Sequence, residues 1–500
     1  MSAHPSEAAS LDRLIPIPAS CTPGDGQFFL HPGTQIFYEP KVPESKKIAE
    51  YLANHLTTLT GLRFPVLAET GSVGIGDVRF INNISQADLG PEGYILDIQP
   101  EEVRLSADHP AGWFYAVQTL CQLLPPASDH NIANPEGWVL PAVHIQDAPH
   151  FAWRGCMLDV VRHFFDVPTI KRLIDQMAVY KLNRLHLHLS DDQGWRIEIK
   201  RWPRLAEIGG STQVGGGAGG YYTQADYAEI VRYAQSRFIT VVPEIELPGH
   251  TQAALASYPE LNLDDQASEL YTGTNVGFSS LCIHKEITYQ FITDVIRELS
   301  ALTPGERIHI GGDEAFLTPL EDYRYFLERL QEIVQAHGKR AVGWGEIALA
   351  PLRPSSVAQL WHAGIDPALA LSQGAQVILS PANRIYLDMK YDEATELGLN
   401  WAGTVNTHTA YEWDPSTEYP TVPEDSILGI EAPLWTETIL TPRDIDFMLF
   451  PRLVGVAEIA WSPKHLRGWE TYRLRLAEHA PRFRALGIHY YPDPEVPWNQ

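Results

Sequence analysis

The sequence predicts an α/β protein: a (β/α)8 barrel preceded by a small α+β domain. Three observations carry that reading. From Arg154 onward, short apolar runs alternate with stretches of helical spacing, and eight such runs fit into roughly 300 residues. Acids, histidines and tryptophans gather just past the ends of those runs, where a barrel carries its functional side chains. Before residue 150 the pattern differs, with strands and helices in mixed order and no cluster of reactive residues. We therefore divide the chain into residues 1–150, an N-terminal α+β domain, and residues 151–500, the barrel with a C-terminal helical tail.

In chain order, TQIFYEP (34–40) and GYILDIQPEEVRLSA (93–107) read as strands of the first domain. SKKIAEYLANHLTTLTG (45–61) has apolar residues at helical spacing, and AGWFYAVQTLCQLLP (111–125) is a second helix ended by proline. The barrel strands are GCMLDV (155–160), NRLHLHLS (183–190), FITVVPEIEL (238–247), RIHIGG (307–312), RAVGWGEI (340–347), SVAQLWHA (356–363), QVILS (376–380) and ILGIEAPLW (427–435). Helices are expected near 168–180, 223–236 and 285–301, and one long amphipathic helix near 442–460. The stretch TQVGGGAGGYY (212–222) reads as a flexible loop over the barrel mouth. An open doubly wound sheet is the competing architecture, but no glycine fingerprint follows the first strand.

Composition narrows the function. The formal net charge of −25 disfavours nucleic acid and anionic membranes, which would repel the chain. No run of residues approaches the 18 or so apolar positions of a membrane span. The first residues, MSAHPSEAASLDRL, lack a basic and an apolar region, so a cytoplasmic location is expected. Cys21, Cys121, Cys156 and Cys282 are scattered without metal spacing and read as free, mostly buried thiols. Several of the 13 tryptophans stand beside acids rather than in apolar runs. Rings so placed suit sugar faces, although packing is the ordinary role for Trp153 and Trp195. Composition leaves the oligomeric state open.

The strand ends carry Asp159 with Arg162 and His163; Asp191, Asp192 and Trp195; Glu244, Glu246 and His250; Asp313 and Glu314; Trp344 and Glu346; Trp361 and His362; Tyr386 and Asp388; Trp435 and Glu437. Within HIGGDEAF (309–316), two acids stand side by side after a buried run and two glycines. Successive strand residues point to opposite faces. Both acids reach one pocket only if the strand has ended, and the glycines permit that turn. Tryptophans with carboxylates are what exo-acting carbohydrate chemistry needs: rings cradle a sugar, acids hold its hydroxyls, and one acid protonates the leaving oxygen.

The ordered set RGCMLDVVRHF, HLHLSDDQGWRIEI, VPEIELPGH, HIGGDE, GWGEI, YLD and GIEAPLWTE resembles the glycoside hydrolase family 20 β-N-acetylhexosaminidases over residues 140–465, and the N-terminal segment resembles the small domain preceding their barrel. The resemblance implies Glu314 as general acid/base and Asp313 as the acid on the substrate acetamido N–H. It implies Tyr386 as donor to the acetamido carbonyl, and Trp344, Trp361 and Trp435 as an aromatic box. Arg154, Asp388 and Glu437 match ligands of ring and outer hydroxyls, and Asp191 with His250 a supporting pair. Glu246 stands where Asp is frequent, and its extra methylene is expected to shift the support of His250. Cys282 has no nearby cysteine partner, so loop 260–282 is expected to lack a staple. No metal or cofactor is implied, and the partner is a glycan or amino-sugar substrate.

The implied chemistry is retaining hydrolysis without an enzyme nucleophile: the 2-acetamido oxygen attacks the anomeric carbon to give an oxazolinium. Two further readings stay open. His186 and His188 share one strand face and, with Asp191, form a candidate metal set for a metal-dependent barrel hydrolase. A non-catalytic sugar-binding protein would also use the tryptophans, although the intact acid pair speaks against it.

Overall fold

The structure is a computed structural model describing residues 11–69, 74–82, 89–124 and 138–498; most of the N-terminal stretch read for a leader lies outside them. Two compact units emerge, one formed by residues 1–150, 178–181 and 457–500, the other by 151–177 and 182–456.

The first unit holds a seven-stranded mixed sheet. Its strands are β1 (Ser20–Leu30), β2 (Ile36–Tyr38), β3 (Val66–Ala68), β4 (Asp77–Asn82), β5 (Tyr94–Ile98), β6 (Glu102–Ala107) and β7 (Trp138–Asp147), in the order β1-β7-β5-β6-β4-β2-β3. Helices α1 (Pro43–Thr60) and α2 (Pro110–Leu123) pack together beside it. Each starts with proline, whose missing N–H costs nothing there. The expected tail on the barrel domain is corrected here: residues 457–500 group with this first unit. A buried polar knot gives the reason. Asp147 accepts from the Tyr94 hydroxyl at 2.7 Å, from Lys181 at 3.1 Å and from the Trp461 indole at 3.0 Å. A buried carboxylate needs such partners, and the chain returns twice to supply them.

The second unit is a closed barrel of eight parallel strands. They are β8 (Trp153–Asp159), β9 (Arg184–His188), β10 (Thr240–Glu244), β11 (Arg307–His309), β12 (Arg340–Trp344), β13 (Val357–Leu360), β14 (Gln376–Leu379) and β15 (Ile427–Leu434), and β15 pairs with β8 to close the ring. All eight expected strands are present. Buried on both faces, they read as apolar runs rather than alternations. Trp153, Val242, Val342, Val357 and Ile378 form an apolar layer. Above it the register aligns Asp159 with His188, His188 with Glu244, and Glu244 with His309. The strands thus end in a polar layer beneath the mouth. Strand β11 is only three residues long, so the chain leaves the barrel wall before the acid pair.

Two expectations change. The single helix near 442–460 is broken into α3 (Pro442–Leu449) and α4 (Arg452–Trp461), because Pro451 cannot continue the backbone hydrogen bonding. The glycine-rich loop is pinned: Val214 N–H donates to the Arg162 carbonyl at 3.0 Å and Gly215 N–H to Thr272 at 2.9 Å. All four cysteines are free, with Cys121 and Cys156 buried, Cys282 half-buried and Cys21 exposed on β1; Cys21 therefore departs from the buried expectation. No helix among the described residues is long and apolar enough to cross a membrane.

Candidate active site

A cavity of 270 Å³ opens among the loops that follow the strands. It lies just below the range of ligand clefts, roughly 300–1,000 Å³, so it suits a single ring more than an extended chain. Asp313, Glu314, Trp361, Tyr386, Asp388, Trp435 and Glu437 line it, with Arg162, Thr274, Val276, Leu399 and Trp401.

The acid pair reaches this cavity through a left-handed turn. Gly311 has φ +63°, Gly312 +105° and Glu314 +46°. Both glycines adopt this region without the Cβ penalty, whereas Glu314 is strained. A Cβ at Gly311 would overlap the Glu246 carboxylate, so this position demands glycine twice over. The turn directs both Asp313 and Glu314 inward. Their environments differ: the Asp313 side chain is 12% exposed and that of Glu314 23%. Burial raises the Asp313 pKa; nearby His250 opposes the shift, while Glu346, Glu314 and Glu244 add to it.

His250 stands behind the pair, with Nε2 3.5 Å from Glu314 and 3.9 Å from Asp313. Its Nδ1 lies 3.2 Å from Asp191 Oδ1. Burial would lower its pKa, but Asp191 outweighs that and holds the ring cationic. His250 also has a left-handed backbone, φ +51°, a second strained residue at the same place. Asp191 and His250 do not line the cavity; they sit directly beneath it, as a supporting pair would. Glu246 is not a hydrogen-bond partner of His250. Its Oε1 accepts from the Trp344 indole at 3.3 Å instead, so the extra methylene bears on that ring.

The aromatic wall is built from separate loops. Tyr386 stacks on Trp361 at 6.2 Å and 14°, and Trp401 meets both edge-on. Glu346 fixes the Trp361 ring, accepting its N–H at 3.1 Å. Tyr386 is buried and its pKa lies well above normal, chiefly through burial and then Asp313, so its hydroxyl remains a donor. Trp344 departs from expectation: it is fully buried, absent from the lining, and packs behind Trp435 at 5.8 Å. It is the last residue of β12 and stays within the barrel core.

Arg154 is the clear correction. It is the second residue of β8, paired with Ile430, fully buried, and its guanidinium donates to the Phe151 carbonyl. That is the opposite end of the strand from the cavity. Arg162, three residues beyond the strand end, lines the cavity and bonds Asp191 at 2.8 Å and Asp159 at 3.3 Å. The rule that function sits past strand ends selects Arg162 over Arg154. Trp401, Thr274 and Val276 were also missed, because they lie in long loops outside every motif.

The cavity is rich in acceptors that the protein does not satisfy. Neither Asp388 oxygen, nor Glu437 Oε2, nor Asp313 Oδ1 makes a well-formed hydrogen bond within the protein. Burial raises the Asp388 pKa, with Glu437 adding to it. Unsatisfied buried acceptors are costly, so the site is built for a ligand with several N–H or O–H donors.

His186, His188 and Asp191 do not converge as one donor set among the described residues, and both rings are engaged by carboxylates. His186 faces Glu431 at 2.7 Å and Glu244 at 3.0 Å; His188 faces Glu244 at 2.6 Å and Asp191 at 2.9 Å. Burial disfavours their charge, but the carboxylates outweigh it and raise His186 to about 10 and His188 to about 9. A doubly protonated imidazole has no lone pair for a metal, so these donors fit a charge ladder better than a metal set.

Known proteins share this design. The sequence pattern described as Glycosyl hydrolase family 20, catalytic domain, matches residues 151–464, and that of domain 2 of the same family matches residues 12–148. A Beta-N-acetylhexosaminidase of Cellulomonas fimi is 40% identical over 97% of each chain. The GH20 beta-N-acetylhexosaminidase of Streptomyces coelicolor A3(2) superposes with a TM-score of 0.93 at 50% identity, covering 98% of this chain and 99% of that one. A mutant Streptomyces plicatus beta-hexosaminidase in complex with product GlcNAc gives 0.93 at 51% identity, covering 98% of both chains.

Gly311→Ala should destabilise the barrel by about 2–4 kcal/mol, combining overpacking against Glu246 with the left-handed penalty. Gly338→Ala, also left-handed but with nothing near its added Cβ, should cost only about 1–2 kcal/mol. Denaturant midpoints check the pair; equal costs would remove Glu246 from the explanation.

Proposed function

The chain belongs to glycosyl hydrolase family 20, and we propose that it is an exo-acting, retaining β-N-acetylhexosaminidase releasing terminal β-linked GlcNAc or GalNAc. The observation that carries this for the site is the pairing of an acid couple with unsatisfied acceptors in a cavity of one-ring size. A sugar supplies hydroxyl donors for Asp388 and Glu437, and its acetamido N–H supplies one for Asp313. A cavity of this size accepts one terminal ring, which fits exo action.

The substrate's acetamido oxygen attacks C1 while the glycosidic C1–O bond breaks, and Glu314 gives its proton to the leaving oxygen. Asp313, ionised, accepts the N–H and balances the charge that grows on nitrogen as the oxazolinium forms. Water then attacks C1 on the face the leaving group vacated, Glu314 takes its proton, and the acetamido group is restored with retained configuration. Tyr386 donates to the acetamido carbonyl and aims it. Trp361 and Trp435 enclose the methyl, with Trp344 backing Trp435. Arg162 places a positive charge over the Trp435 ring, 4.8 Å from its centroid, beside the sugar hydroxyls. The four free thiols fit a reducing compartment, and we place the chain in the cytoplasm.

Asp313 presents a conflict of signs that binding resolves. In the free cavity burial favours its protonated form, whereas the reaction needs the carboxylate. The substrate N–H is the missing donor, and bonding to the charged form lowers a carboxyl pKa.

Two outcomes follow. Glu314→Gln should lower kcat/KM by about 10²–10⁴-fold on an alkyl or glycan leaving group, and far less on a nitrophenyl one that needs no proton. Equal losses would remove Glu314 from the acid role. Because the ligand lowers the pKa of Asp313, the acidic limb of kcat should lie at lower pH than that of kcat/KM, and Asp313→Asn should abolish this separation. Coincident limbs in the native enzyme would show that Asp313 does not titrate against the substrate.

A further inference from the structure

Below the acid couple the barrel interior holds an unbroken alternation of carboxylates and imidazoles. Glu314 meets His250, His250 meets Asp191, and Asp191 Oδ2 lies 2.9 Å from His188 Nε2. His188 Nδ1 then lies 2.6 Å from Glu244. His188 and Glu244 are fully buried, and Asp191 is 2% exposed. We propose that His188 is a positioning residue: donating from both ring nitrogens, it locks Asp191 against Glu244 so that Asp191 can hold His250 behind Glu314. The inference rests on the reading of Glu314 as the acid.

Geometry favours such a lock. Asp191 presents Oδ1 to His250 and to the Asp192 N–H, and partners on its other oxygen fix the last torsion further. Oδ2 is held from two sides, by His188 and by Arg162 at 2.8 Å. Arg162 also lines the cavity, so it is exposed to whatever the ligand does. His188 is the anchor remote from ligand. Its own ring is fixed at the far side by Glu244, which is shared with His186 and His309. The strand register places His188 between Asp159 and Glu244, so the anchor belongs to the barrel wall rather than to a loop. The ring stays doubly protonated because the flanking acids outweigh the effect of burial.

A competing role is packing. The His188 ring meets Trp435 edge-on at 4.9 Å, so it could act by supporting the aromatic wall. The two roles differ in what they disturb. Losing the lock weakens proton delivery, whereas losing the wall weakens binding of the acetamido group.

Two substitutions separate them. In His188→Gln the amide nitrogen stands where Nε2 stood and keeps the bond to Asp191. In His188→Asn the amide nitrogen stands where Nδ1 stood and keeps only the bond to Glu244. His188→Asn should lose on the order of 100-fold in kcat/KM on a poor leaving group, the scale of a small misplacement of a catalytic group. It should lose much less on a nitrophenyl leaving group, and His188→Gln should recover at least a tenfold part of the loss. Glu314→Gln is measured alongside. If Glu314→Gln shows the leaving-group difference and His188→Asn does not, the lock is wrong while the acid assignment stands. A rise in KM with kcat unchanged, or equal losses in the two His188 variants, would assign the residue to wall packing. Should His188→Asn fail to fold, His188→Gln decides alone: the lock predicts a loss within about tenfold on the poor leaving group with KM little changed, and a rise in KM with kcat unchanged overturns it.

Discussion

Two carboxylates adjacent in sequence can face one cavity only where their strand has already stopped. That constraint organises the active site. Strand β11 ends at His309, and the chain then passes through left-handed Gly311, Gly312 and Glu314. Strain at Glu314 persists because its surroundings hold it: Glu246 fills the space beside Gly311, and His250 stands against both acids. Without the turn, Asp313 and Glu314 would lie on opposite faces of the barrel wall, and no proton donor and charge acceptor could act on one sugar.

The turn sits on a layer of buried carboxylates and imidazoles. Asp159, His188, Glu244 and His309 occupy neighbouring positions on adjacent strands, and Glu431 and His186 extend the pattern inward. Buried charges are tolerated only when paired, and here each imidazole lies between or beside carboxylates. Such a layer is a costly way to fill a barrel compared with the usual branched apolar side chains. Its use is orientation: it holds Asp191 and His250 in one arrangement and leaves the cavity's own acceptors, on Asp388, Glu437 and Asp313, free for a ligand. Above it, Glu346 and Glu246 each take an indole N–H, so carboxylates also set the tilt of the tryptophans.

The eight barrel strands were legible because parallel strands buried on both faces are simple apolar runs, and the acid pair because two glycines preceded it. Strand β1 was not read, since Ser20–Leu30 is polar and exposed over its first seven residues. Pro451 broke a helix whose apolar spacing alone looked continuous. Arg154 and Arg162 stand eight residues apart on one motif, and only their places at opposite ends of β8 distinguish a structural arginine from a pocket one. The family resemblance places Trp344 in the aromatic box, yet it lies one ring deeper. Trp401 lies far from any strand and carries no local signal; three-dimensional closure alone brings it to Trp361 and Tyr386. Sequence adjacency attaches the C-terminal tail to the barrel, whereas Trp461 follows the buried Asp147.

The central claim is that the substrate, not the protein, provides the nucleophile. The direct measurement compares aryl β-N-acetylglucosaminide with the matched aryl β-glucoside, which lacks only the acetamido group. A merely missing contact would cost about 1–3 kcal/mol, or 10–200-fold. Loss of the nucleophile should reduce kcat/KM by many orders of magnitude beyond that, and fluorosugars should trap no covalent glycosyl-enzyme. Cleavage of the β-glucoside at comparable kcat/KM would contradict the claim and require an enzyme nucleophile among Asp191, Asp313 and Glu437.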